Sequence, residues 1–116
     1  MVFRKEITVK TKGFTDIINL SHFVEAGVRE SGIQEGMGCI SVAGSTAGIT
    51  TIEYETGLIE DFRKAWERLV PQDIFYAHNE RWGDGNGFSH VRASFLGSSF
   101  SFLVHKGEAE LGTWQQ

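Results

Sequence analysis

The apolar residues of this chain change their spacing along its length, and the order of those changes fixes the class of fold. From Val2 to Val9 they alternate, with Phe3, Ile7 and Val9 on one face and Arg4, Glu6 and Thr8 on the other, which is the period-two signature of a strand. Gly13 breaks that pattern. Thr15 or Asp16 can cap a helix with the stripe Ile17, Leu20, Val24 and Val28, and Gly32 stands where a helix end favours φ > 0. Gly38 to Ala43 and the β-branched run Ile49 to Glu55 read as two strands joined by the turn Gly44-Ser45-Thr46-Ala47-Gly48. Leu58, Phe62, Ala65, Trp66 and Leu69 return to helical spacing, and Pro71 ends that helix. Ser89 to Leu96 allows one or two helical turns, with Gly97 as the stop. Phe100, Phe102 and Val104 alternate again, and Lys106-Gly107-Glu108 turns the chain into a last strand ending at Trp114. This order predicts an α+β fold, a mostly antiparallel sheet packed with two main helices, and no doubly wound crossover series.

Composition narrows the function classes. A chain of 116 residues is the size of one domain. Its net charge of -4 and lack of a basic run argue against nucleic-acid binding. No apolar stretch reaches the length of a membrane span. A single cysteine, Cys39, excludes an internal disulfide and fits a reducing cytoplasm. Its neighbours Ile40 and Val42 predict a buried strand thiol.

The chemistry concentrates between Tyr76 and His90. His78 and His90 flank a turn with Gly83, Gly85 and Gly87 that carries Asp84 and Asn86. Imidazoles and a carboxylate suit a borderline divalent ion such as zinc. Asp84 is either a third ligand or an acceptor that fixes an imidazole tautomer. The glycines leave backbone N–H groups free to face an anion. A polar surface loop with two incidental histidines is the competing reading. A calcium loop is excluded, because Phe88 and Phe95 fall where oxygen ligands are required. Glu53 and Glu55 alternate on one strand face with Tyr54 opposite, so either can serve as a general base or ligand, or simply face solvent. Ser45 and Thr46 offer hydroxyls to a phosphate, although their turn lacks a P-loop lysine and leads into no helix. Arg92, two residues after His90, is a candidate anion holder or a surface ion pair. His22 and His105 read as surface residues.

Several of these pieces occur in the order of one family. They are the run Gly44 to Glu55, the segment Tyr76-Ala77-His78-Asn79, the segment Asp84 to His90, and the ending Leu111-Gly112-Thr113-Trp114-Gln115-Gln116. The chain resembles the YjbQ family, also called the secondary thiamine-phosphate synthase family. The resemblance implies an α+β homotrimer with a metal pocket near subunit boundaries. It also implies a weak synthase activity joining a pyrimidine diphosphate to a thiazole phosphate with release of pyrophosphate. On the matching motifs His78 and His90 look like metal ligands, and Asp84 and Asn86 look like loop residues of the same pocket. The enzyme reading gives a general-base or anion role to Asp84, Glu53 and Arg92, and phosphate contacts to Ser45, Thr46, Gly85, Asn86 and Gly87. It expects a divalent metal, zinc by donor type or magnesium with a diphosphate substrate, and a small phosphorylated partner. The chain departs from the family in two places. Gly44 stands where many members have a histidine, and the strand that usually follows Gly-Thr-Trp-Gln is not in the sequence. A non-enzymatic metal- or ligand-binding trimer, and a plain interaction domain, are the other readings.

Overall fold

The computed structural model describes residues 1–116. Its elements in chain order are α1 (Ser21–Ser31), β1 (Glu35–Ser41), α2 (Thr56–Leu69), α3 (Ala77–Trp82), α4 (Gly87–Leu96), β2 (Ser99–His105) and β3 (Glu108–Ala109). The three strands form one antiparallel sheet in the order β1-β2-β3. Glu35 pairs with His105 at one end of β1 and Ser41 with Ser99 at the other. The α+β class predicted from the periodicity is the class observed, with four helices in place of two.

Local chemistry explains most element ends. Gly32 (φ 69°) and Gly83 (φ 71°) adopt the left-handed conformation that closes α1 and α3. Glu55 caps α2: its carboxylate accepts the Leu58 N–H at 2.5 Å and the Gly57 N–H at 3.0 Å. The β2–β3 hairpin turns through Lys106 (φ 52°) and Gly107 (φ 79°), the two positive φ values that a tight two-residue hairpin demands. Across the sheet Phe102 lies over Gly38, where an added Cβ would sit 2.2 Å from the ring.

Several sequence expectations fail for physical reasons. Val2 to Val9 alternates but joins no ladder, so its residues have no strand pairing. Alternation prepares a face; only a neighbour with matching N–H and C=O groups makes a strand. Ile49 to Glu55 is likewise not a strand, apart from an isolated antiparallel bridge between Glu53 and Gln115. β3 ends at Ala109, and Trp114 is exposed beyond it. α1 begins at Ser21, not near Thr15. Thr15 and Phe14 have φ of 68° and 48°, which a right-handed helix excludes. Cys39 is exposed, because β1 turns Gly38 and Ile40 inward and Met37, Cys39 and Ser41 outward. Leu69, on the expected apolar stripe of α2, is exposed as well.

The buried core is small and helical. Trp66, Val70 and Phe88 form its centre, with Phe62, Tyr76 and Leu96 packed around them. Arg92 enters this core at 7% exposure. It donates to the Val70 carbonyl (2.9 Å), to Thr15 Oγ1 (2.7 Å) and to Glu67 Oε1 (2.8 Å), and its guanidinium lies 4.9 Å from the Phe88 ring centre. That hydrogen bond from Arg92 holds the Glu67 carboxyl below its ordinary range. No helix is long and apolar enough to cross a membrane.

Candidate functional site

α3 and α4 are short helices joined by the glycine turn, and each carries one histidine. α3 spans six residues, too few to be stable alone. Its junction with α4 holds it. Asn79, on α3, accepts the Gly87 N–H at 2.8 Å and so takes over the capping of α4. Gly87 is buried, and a Cβ there would meet Tyr76 Cβ at 2.7 Å and Asn79 Oδ1 at 2.9 Å. Only glycine permits this approach. Gly83 (φ 71°) and Gly85 (φ 68°) supply the left-handed steps between the helices.

The turn brings the His78 and His90 rings to 4.5 Å between centres, tilted by 45°. Asp84 Oδ1 lies 3.3 Å from His78 Nδ1, the long end of hydrogen-bond range. Its neighbours orient Asn86 with the amide nitrogen toward that carboxylate, 2.8 Å from Oδ1 and 3.2 Å from Oδ2, and 3.3 Å from His78 Nδ1. The structure thus gathers His78, His90, Asp84 and Asn86. The His78 and Asp84 side chains are 34% and 45% exposed, so the group is a shallow surface site. A cleft of about 1090 Å³ between the N-terminal arm, α1 and the sheet has Thr46 and Arg92 on its wall and neither histidine.

The other expected residues stand elsewhere. Arg92 holds no anion beside His90; its donors are engaged by Val70, Thr15 and Glu67. Gly87 offers no N–H to a phosphate, because Asn79 occupies it. Glu55 is committed to capping α2, and Glu53 sits in the bridge with Gln115. The Ser45–Thr46 turn is tied to the far end of α4: Ile49 N–H donates to the Gly97 carbonyl, and Gly48 packs against Leu96. At 1.5 Å per residue, Leu96 lies about 9 Å along the helix from His90. The contacts that anchor the Ser45–Thr46 turn are with the C-terminal end of α4. Asn79 had no local sequence signal, since it caps a helix that begins eight residues later.

The donors fit a divalent metal in kind. Two imidazoles, one backed by a carboxylate, are typical of zinc and related ions. They fall short in number, since no three His, Cys, Asp or Glu side chains are grouped so as to hold one ion. Two protein donors leave several positions for water or phosphate oxygens.

The comparisons with known proteins agree with one another. A family model described as UPF0047 protein YjbQ-like matches residues 5–116. A UPF0047 protein of Methanothermobacter thermautotrophicus is 34% identical over 114 residues, 98% of this chain and 78% of the relative. YugU, a UPF0047 protein of Bacillus subtilis, is 31% identical over 113 residues, 96% of this chain and 83% of the relative. A crystal structure of a YbjQ-like protein of unknown function from Sulfolobus solfataricus has a TM-score of 0.85 at 34% identity, covering 91% of this chain and 76% of that one. A YjbQ/UPF0047 protein of Clostridium acetobutylicum gives a TM-score of 0.81 at 31% identity, over 91% and 81% of the two chains. With its sequence and its fold both matched over nearly their whole length, the chain belongs to the YjbQ-like UPF0047 family.

Proposed function

We propose that this chain binds a divalent metal and a small phosphorylated molecule at the His78–His90 turn, and that it has secondary thiamine-phosphate synthase activity. The observation that carries the reading is the meeting of two imidazoles across a glycine turn, with Asp84 beside Nδ1 of His78. His78 and His90 hold the ion through nitrogen, which favours zinc over magnesium. Asp84 accepts from His78 Nδ1 and orients the ring, a role distinct from binding the ion itself. The exposed Gly85 is the turn glycine left to approach phosphate oxygens, since Gly87 is buried. When bound, the ion offsets charge on a departing diphosphate. The family resemblance supports the substrate pair, a pyrimidine diphosphate and a thiazole phosphate, and supports assembly as a homotrimer. The lone exposed Cys39 fits a cytoplasmic setting, where thiols stay reduced.

Elemental analysis of protein purified without chelators tests the site. About one transition ion per chain, absent in His78→Ala/His90→Ala, is the expected result. A metal-free wild type that stays empty after reloading refutes it. The absence of a third grouped donor favours one other reading, a binding protein whose synthase turnover is a side reaction. A kcat/KM well below about 10⁴ M⁻¹s⁻¹ with the thiamine precursors selects that reading.

A further inference from the structure

Asn86 has the residue type and position of a helix cap, yet it caps nothing. It stands immediately before α4, and its side chain makes no capping hydrogen bond. Asparagine there ordinarily accepts an N–H from the first helical turn. Here Asn79 takes the Gly87 N–H from across the turn, and the Asn86 amide is released for other work. Its nitrogen faces both oxygens of Asp84 and the Nδ1 of His78. Its backbone carbonyl accepts the Ser89 N–H at 2.9 Å and the His90 N–H at 3.2 Å. One residue therefore touches both halves of the histidine pair.

We propose that Asn86 is a positioning residue that sets the tautomer of His78 by clamping Asp84, and that it touches neither metal nor substrate. For His78 to present its Nε2 lone pair, Nδ1 must carry the hydrogen and have an acceptor. Asp84 is that acceptor, but it sits between Gly83 and Gly85 with a half-exposed side chain. Without a restraint the carboxylate swings into water. The two hydrogens of the Asn86 amide hold its two oxygens and point one at the ring. When the clamp is lost and the carboxylate turns to water, Nδ1–H has no acceptor in the site, and the ring hydrogen moves to Nε2 and closes that nitrogen to a ligand. The clamp thus decides whether His78 is a donor or is blocked.

The proposal rests on the His78–His90 reading, and its test separates the two. In metal-free protein in alkaline buffer, ring ¹⁵N shifts of His78 report the tautomer without any metal. The wild type is expected in the Nδ1–H form, and Asn86→Ala is expected to move toward the Nε2–H form with unchanged circular dichroism. Asn86→Ser, whose hydroxyl can cap α4 and offers Asp84 at most one hydrogen, gives the same comparison if the alanine variant folds poorly. An Nε2–H His78 in the wild type overturns the proposal, as do identical tautomers in the wild type and a folded variant. Zinc titration of the same samples is the second readout. Loss of a buttress around a metal-bound histidine lowers affinity by about 10–100-fold. No zinc uptake by the wild type removes the metal reading and leaves the tautomer result standing on its own.

Discussion

Arg92 ties three parts of the chain together, through Val70, Thr15 and Glu67. Arg92→Ala strips the Nε–H from the Val70 carbonyl, in a residue only 5% exposed. A buried acceptor left without a partner costs about 1–3 kcal/mol. The Thr15 hydroxyl loses its donor, a net hydrogen bond of about 1 kcal/mol. The guanidinium also leaves the faces of Phe88 and Trp66, at 4.9 and 5.8 Å, a loss of about 1 kcal/mol. Glu67 is half exposed, and its carboxylate returns to water. The expected destabilisation is about 4 kcal/mol, which lowers Tm by roughly 15 °C in a domain of this size. Arg92→Lys is expected to keep little of the stability, because one ammonium cannot serve three acceptors set around a planar fork. Urea and thermal unfolding followed by circular dichroism measure both variants. Glu67 adds a sign test. Its folded pKa lies below the ordinary 4.5, so its contribution is present above pH 4.5 and is lost as pH falls through the folded value. The gap between wild type and Arg92→Ala is expected to narrow in acid. A loss below about 1 kcal/mol, or a lysine variant equal to wild type, refutes the assignment of Arg92 as a core tie.

Gly87→Ala is expected to cost about 1–3 kcal/mol and to weaken metal uptake, since the new Cβ forces α3 from α4; equal stability to wild type by urea unfolding would sink this. Gly85→Ala meets no atom within 4 Å and is expected to cost only about 1–2 kcal/mol for its positive φ, with the histidine pair kept. The Glu35–His105 pair predicts a pH window. A side-chain hydrogen bond between them (3.0 Å) lowers the Glu35 pKa from 4.5 and raises that of His105 from 6.5. The Glu35 contribution is lost as pH falls through its folded value, and the His105 contribution as pH rises through its own. The excess stability of wild type over His105→Ala is therefore expected to peak between pH 4.5 and 6.5, and a flat difference from pH 4 to 9 rules the coupling out.

Sequence periodicity worked where the face it marks is also used. Phe100, Phe102 and Val104 mark the inner face of β2, and that strand runs from Ser99 to His105 as the alternation requires. Gly32 and Gly97 stop their helices because a chain end of that kind is a local matter. Val2 to Val9 carries the same alternation and forms no strand, because pairing depends on a neighbour that no local pattern specifies. α3 was invisible for the opposite reason: its six polar-rich residues have no apolar stripe, and contacts with α4 hold them. The histidine turn was legible as a set of residue types, and its closure was legible in the glycines. The sequence could not assign the parts within it. Arg92 reads as a surface charge until its acceptors are known, and Gly87 reads as an anion cradle until Asn79 is seen to fill its N–H.

The cap that Asn79 supplies to α4 also bears on the order in which the chain organises. Every group of the histidine turn lies within one short stretch, so little loop-closure entropy opposes its formation. The sheet is different, for it joins Glu35 to His105 across 70 residues. Contacts that distant form slowly. The expectation is that amides of α4 gain protection in pulsed hydrogen exchange before those of β1. Simultaneous protection of both would contradict this order. If the order holds, the nascent protein has its imidazoles in place while its sheet is still open, and a metal ion present then would act as a folding partner as well as a ligand of the finished protein.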